Sequence, residues 1–152
     1  MNQQKAHQEF TNFLKEGKHR VTPERFEVLD AALQYDGHFG ADELFVQMQI
    51  NNSNVSRATV YNTLELLDQS GFIAKHNFGD NKARYEPTFN RKKHDHLICV
   101  NCGDIIEFSS PKIQKIVDDM CEELGYECTG YSFNIFGRCK KGDSCEHFKT
   151  DK

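Results

Sequence analysis

Apolar residues along the first half of the chain recur at helical spacing. Over 3–16, Phe10, Phe13 and Leu14 give one apolar side to an otherwise polar segment, and Gly17 ends it. Thr22-Pro23-Glu24-Arg25 opens a second helix. Thr22 suits the N-cap, Pro23 the first turn, and Glu24 the positive end of the helix dipole. Phe26, Leu29, Ala32 and Leu33 then trace a buried stripe until Gly37 and Gly40 break it. Residues 41–50 predict a third, short helix with Leu44, Phe45 and Met48 inward. After a turn at Asn51-Asn52-Ser53-Asn54, Ser56 caps a fourth helix over 57–69. Val60, Leu64 and Leu67 form its inner stripe; Ala58, Tyr61, Asn62 and Glu65 fall on the opposite side, and Gly71 stops it.

The period then changes. Residues 72–78 and 82–85 read as two strands around Gly79-Asp80-Asn81, a hairpin turn. Helices followed by a hairpin predict a winged helix-turn-helix, with the 57–69 helix as the one that enters a major groove. A small helical bundle carrying a hairpin is the alternative that pattern alone leaves open. The polar, basic run 87–93 reads as a linker, so the expected domains are 1–86 and 87–152. Beyond it, 96–100 and 104–108 read as strands. Residues 111–124 read as a helix with Ile113, Ile116, Val117, Met120 and Leu124 inward, and 126–136 as a strand. The fold class is therefore α+β, an N-terminal winged helix-turn-helix followed by a small α/β domain.

A chain of 152 residues split this way has two thin cores. A metal ion or a partner subunit is expected to help hold them. The formal net charge of −4 counts against bulk, non-specific DNA binding. It leaves room for a local basic patch, and Lys18, Arg20, Arg25 and Arg57 all lie in the first domain. Bound divalent cations would offset part of the negative charge. No apolar stretch approaches the ~20 residues of a membrane span, and the polar start MNQQKAHQEF shows no signal peptide. A cytoplasmic protein with no membrane partner is expected.

All six cysteines follow residue 98. In a reducing compartment, spaced cysteines point to metal ligation over disulfides. Cys99-Val100-Asn101-Cys102 has the spacing of a metal knuckle, and Cys139 with Cys145 supplies a second, wider pair. Four thiolates from two short loops suit tetrahedral Zn²⁺ at about 2.3 Å per bond. His147 is an alternative to Cys145, and redox or inert thiols are the competing reading. Cys121 and Cys128 read as small buried hydrophobes. In His94-Asp95-His96 the two imidazoles face one side of a strand and can meet one ion. With Glu86, Glu107 and His38 they make a mixed nitrogen–oxygen donor set suited to Fe²⁺, Mn²⁺ or Zn²⁺. Spacing alone leaves a solvated triplet as an equal reading.

Taken in order, these segments resemble the ferric uptake regulator family over nearly the whole chain. The matching runs are Arg20-Val-Thr-Pro23 with Arg25, His38-Phe-Gly-Ala-Asp-Glu-Leu44, Ala58-Thr-Val-Tyr61, Phe78-Gly-Asp80 and Tyr85-Glu86. His94-Asp-His-Leu-Ile-Cys99, Asn101-Cys-Gly103, Ile105-Ile-Glu-Phe108 and Phe136-Gly-Arg-Cys139 follow. The resemblance implies a homodimer that binds double-stranded operator DNA when its sensory metal is bound, and so represses transcription. It implies sensory ligands at His38, Glu86, His94, His96 and Glu107, and a structural zinc on the two cysteine pairs. It makes the second domain the dimerisation domain. It points to Tyr61 in the major groove with Asn62 beside it, and to Arg20 near the minor groove; Arg57, at its helix N-terminus, is placed to contact phosphate.

Three departures from the family pattern stand out. Asn62 occupies a position where iron-sensing members often carry Arg, and looks more like peroxide-sensing members. A further metal site of many members falls here on Lys93, Asp95, Gln114 and Tyr131, which is a poor ligand set. Glu107 stands where peroxide sensors typically have Asp. The implied function is an Fe²⁺-responsive repressor of iron uptake genes, with a peroxide sensor on the same scaffold as the rival. A metallohydrolase built on the His/Glu set is the alternative from another class; it would need an open coordination position, a general base and a cleft, none of which the sequence marks.

Overall fold

The first predicted helix forms as α1 (Gln3–Glu16), whose first turn is capped by the Asn2 side chain. It leads into α2 (Pro23–Gln34), α3 (Ala41–Ile50) and α4 (Arg57–Gln69). These belong to a computed structural model that describes residues 2–78 and 81–140. The chain divides into two compact units, Met1–Lys92 and Lys93–Lys152.

In the first unit, Phe10, Leu14, Leu29, Leu44, Val60, Leu64 and Leu67 are fully buried together. Phe10 meets Phe26 and Phe72 edge-on, with ring centroids 5.6 and 5.7 Å apart. Val28 takes the fully buried place expected for Phe26, which packs at the rim of the core instead. Thr22 occupies the N-cap of α2, but its side chain makes no cap hydrogen bond; Pro23 in the first turn and Glu24 beside it favour the start. Ser56 does cap α4, accepting from the Thr59 N–H at 3.2 Å. Leu64→Ala, at the centre of this core, is expected to cost about 2–5 kcal/mol. Urea denaturation followed by circular dichroism reads that loss directly.

The wing is an antiparallel pair, β1 (Ile73–Asn77) and β2 (Ala83–Pro87), with Ala74 opposite Glu86 and His76 opposite Arg84. β2 runs two residues beyond the expected Tyr85. Residues 79 and 80 of the expected hairpin turn lie outside the described residues. The segment expected as a linker begins packed on the first unit. Thr88 and Phe89 N–H both donate to the Phe72 carbonyl, and Phe89 stacks on the Phe72 ring at 4.9 Å.

The second unit contains β3 (Asp95–Cys99), β4 (Ile105–Phe108), α5 (Pro111–Leu124) and β5 (Asn134–Gly137). β3 lies centrally, antiparallel to β4 and parallel to β5. Residues 126–133 do not form the expected strand. Only 134–137 find a free edge of β3 to pair with, and apolar alternation without a hydrogen-bonding partner does not make a strand. The apolar stripe of α5 differs too: Ile116, Met120 and Leu124 are 62, 45 and 65 % exposed. A three-stranded sheet this small cannot cover that stripe within one chain. Among the described residues no helix is long and apolar enough to cross a membrane.

Candidate metal centres and nucleic-acid interface

His38 follows Gly37, whose φ of +85° turns the chain sharply out of α2. Phe39 then pairs with Tyr85 as an isolated antiparallel bridge, with N–H···O distances of 2.9 and 2.8 Å. That bridge brings His38 to Glu86: Nε2 lies 3.1 Å from Oε2. The other carboxylate oxygen of Glu86 is held by His76 Nε2 at 2.6 Å. Glu86 is 4 % exposed. The three groups are walled by Phe78, which stacks on His76 at 5.2 Å and meets His38 edge-on at 5.6 Å. His76 was not among the sequence-expected ligands. The signal was available: Ala74 is opposite Glu86, so His76, two residues along β1, shares its face and sits on its diagonal.

The second unit assembles the remaining expected ligands by itself. His96 on β3 is opposite Glu107 on β4. His94 Nε2 lies 3.4 Å from Glu107 Oε1, and its ring meets that of His96 edge-on at 4.9 Å. His96 is buried while Glu107 is open to solvent. Each unit thus presents imidazole and carboxylate donors already close to one another.

The parallel pairing of β3 and β5 organises the cysteines. Cys99 ends β3 opposite Gly137, so the chain leaving β5 carries Cys139 to the same end of the sheet. The Cys99 thiol receives hydrogen bonds from the backbone N–H groups of Cys102, Cys139 and Asn101, and from the Cys102 side chain. They push it down to about 7 from the usual thiol value. Donors aimed at the sulfur favour a thiolate, which is the form a zinc ion binds. Cys145 and His147 lie outside the described residues. Of the other two cysteines, Cys128 is exposed and Cys121 half-buried; neither is the core residue the sequence suggested.

The four positions of the family's further site also meet a physical test. The Lys93 ammonium sits 3.2 Å from the centre of the Tyr131 ring. Asp95 is 5 % exposed, and Gln114 Nε2 donates to Asp118 rather than pointing to a shared centre. Burial, then the charges of Asp95, Asp118 and Cys128, push the Tyr131 phenol up, away from the ionised form that could ligate. A cation is already built into the chain here.

On the outer side of α4, Tyr61 is 43 % exposed. Its hydroxyl donates to Asp42 Oδ1 at 2.8 Å, which raises its pKa. Arg57 pairs with the same carboxylate oxygen and lies 4.6 Å over the Phe45 ring. Asp42, on α3, is a second residue that reading along the chain did not single out; it acts on α4 only once the two helices pack. Asn62 lines a shallow groove with Arg20, Arg25 and Thr59. The expected Arg20, Arg57, Tyr61 and Asn62 are all exposed.

Comparison with known proteins identifies the family. The model of the family described as "Ferric uptake regulator family" matches residues 16–136. The chain is 34 % identical over 134 residues to the ferric uptake regulation protein of Shigella flexneri, covering 88 % of this chain and 90 % of that one. The Pseudomonas aeruginosa ferric uptake regulator solved with manganese is 27 % identical with a TM-score of 0.75, over 86 % of this chain and 97 % of that chain. The Francisella tularensis regulator solved with iron is 33 % identical with a TM-score of 0.66, over 80 and 92 %. Members of the family are transcription regulators rather than enzymes, which sets the metallohydrolase reading aside. With its winged helix, its α/β second unit and its two sets of ligand-type side chains, the chain belongs to the ferric uptake regulator family of metal-dependent transcriptional regulators.

Proposed function

We propose that the chain is an Fe²⁺-responsive repressor of iron uptake genes that binds operator DNA as a homodimer. The observation that carries the reading is the donor set. His38 with Glu86 in the first unit, and His94, His96 and Glu107 in the second, are five nitrogen and oxygen donors suited to one borderline divalent ion. A structural Zn²⁺ would take Cys99, Cys102, Cys139 and Cys145, with His147 as the alternative fourth ligand. A bound divalent ion supplies positive charge that satisfies buried carboxylate and imidazole groups contributed by both units. The residues do the rest. His76 fixes the carboxylate of Glu86, as outer hydrogen bonds to metal ligands generally do. Holding the two units in one arrangement selects the state in which both recognition helices of a dimer reach their half-sites. The exposed stripe of Ile116, Met120 and Leu124 is the surface a second copy would cover.

Operator-binding titrations with Fe²⁺, Mn²⁺ and Zn²⁺ under anaerobic conditions test the reading. Fe²⁺ is expected to activate binding at the lowest free concentration. Mn²⁺ belongs in the series because the Pseudomonas relative was solved with it. A protein that binds its operator equally without metal would overturn the proposal. Asn62 supports the peroxide-sensing alternative, and mass spectrometry of the peroxide-treated Fe²⁺ form separates the two: added oxygen on His38 or His94 is its signature.

Binding should depend strongly on salt despite the acidic net charge, because local cations of the first unit, Lys18, Arg20, Arg25 and Arg57, would neutralise phosphates. Asp42 holds Arg57 where a phosphate would otherwise sit, so Asp42→Asn releases one cation. The logarithmic salt slope is expected to steepen by about 0.9 in that variant. An unchanged slope would mean Arg57 does not reach the backbone.

Metal counting gives a further test. Lys93 and Tyr131 leave only Asp95 as a ligand at the family's further site, so fully loaded protein is expected to hold one structural and one sensory ion per chain. A third well-occupied ion touching Asp95, seen by anomalous scattering, would refute this.

A further inference from the structure

In the first unit a small groove lies between the start of α2 and one side of α4. Its volume is about 200 Å³, below the roughly 300–1,000 Å³ of pockets for drug-sized ligands, so it suits one small group. The α4 wall is Thr59, Asn62 and Thr63, whose helical spacing puts them on one face. Ser56 donates to Thr59 Oγ1 at 2.9 Å, which leaves the Thr59 proton to donate elsewhere. Thr63 is fully buried, and its hydroxyl oxygen hydrogen-bonds to no described residue. A buried hydroxyl without a partner costs stability, so its presence in the wall of a groove points to a ligand. Across the groove, the Thr22 side chain caps nothing, so the first-turn amides of Glu24 and Arg25 stand uncapped at the positive end of α2. Arg25 donates one guanidinium N–H to the Arg20 carbonyl, which leaves the rest of its fork for a ligand. Arg20 also lines the groove, and Glu24 is the one carboxylate among the lining residues.

We propose that this groove is a phosphate site that seats one tetrahedral phosphate-type oxyanion. Two guanidinium groups supply the charge and paired N–H donors, and the uncapped turn of α2 adds backbone amides. The Thr59 hydroxyl and the Asn62 amide complete the rim. The Thr63 oxygen is closed to solvent, so its proton meets the ion only as the long arginine side chains swing up to the charge. The same donors disfavour the other ligand classes. A metal cation would face two guanidinium groups, and an apolar ligand would leave every donor unpaired. The oxyanion has two sources, a free phosphate or one phosphate of a DNA backbone. The second rests on the operator-binding reading; the first stands without it.

Two arms test the site and separate its sources. In the first, inorganic phosphate is titrated into DNA-free, zinc-loaded, full-length protein at constant ionic strength, and backbone amide shifts are followed by nuclear magnetic resonance. Saturable shifts at Glu24, Arg25, Thr59 and Thr63 are expected, with sodium chloride giving none. Arg25→Gln should weaken phosphate by about tenfold or more, the scale of a hydrogen bond to a charged group. Glu24→Gln should tighten it, a gain that no folding defect imitates. Thr63→Val keeps the shape of the side chain and should weaken it again. In the second arm, operator DNA carries a neutral methylphosphonate at one backbone position at a time. A position whose replacement weakens wild-type binding but leaves Arg25→Gln and Thr63→Val unaffected assigns the DNA source, and the salt slope of Arg25→Gln should then fall by about 0.9. Saturation in the first arm assigns the free source. A protein that saturates with phosphate yet binds no operator would sink the repressor reading and keep this site. Absence of both signals, shifts that sodium chloride reproduces, or shifts confined to other residues would overturn the proposal.

Discussion

Cys99→Ser is expected to unfold the second unit and leave the protein monomeric. The reason lies in how little else holds that unit together. Its buried side chains among the described residues are Asp95, His96, Ile98 and Cys99, all on the single strand β3. α5 buries none of its residues in one chain. Burial of a full aliphatic side chain is worth only about 1.5–3 kcal/mol, so a core of this size does not offset the entropy of ordering the unit. A structural zinc contributes about 10–16 kcal/mol in small zinc-dependent peptides, which is the scale required. Cys99 is the ligand at the centre: it ends β3, and its sulfur collects N–H groups from both the Cys102 turn and Cys139. Serine keeps the shape but offers no thiolate. The variant should lose its zinc, elute as a monomer and lose the sheet contribution to its circular dichroism. A zinc-free Cys99→Ser protein that remains a folded dimer of wild-type stability would end the structural-zinc assignment.

His94→Ala is expected to abolish metal-dependent operator binding while the dimer and the fold survive. His94 precedes β3 and is only partly buried, so its removal takes little from the packing. Its ring nitrogen faces Glu107, and its ring abuts His96, so its loss removes a donor from the middle of the second unit's set. Changes to groups that merely orient a ligand lower metal affinity by about 10–100-fold. Loss of a ligand should exceed that, with metal-dependent operator affinity falling by about 100-fold or more. His76→Gln offers the contrast: it alters only the hold on Glu86, so its effect should stay within the smaller range. Isothermal titration with Mn²⁺ and gel-shift assays on the same samples separate the two. A His94→Ala protein that responds to metal like the wild type would remove His94 from the sensory site.

The local patterns were legible wherever one segment decides its own structure. The helices at Gln3–Glu16 and Pro111–Leu124 have the bounds that their periodicity and their glycine stops predict. The capping serine before α4 and the hairpin after it follow equally from short-range chemistry. The ligand types were legible too, since a knuckle of cysteines and a strand with alternate histidines need no tertiary information. What the amino-acid order did not reveal depends on which element lies beside which. Asp42 reaches Arg57 and Tyr61 only because α3 packs on α4. Residues 126–133 lost their expected strand because an edge of β3 was available only to 134–137. The stripe on α5 was read as inward, yet among the described residues Ile116, Met120 and Leu124 stay exposed. Periodicity shows that a face is apolar; whether its own chain or another covers it is decided by the area the rest of the fold can supply.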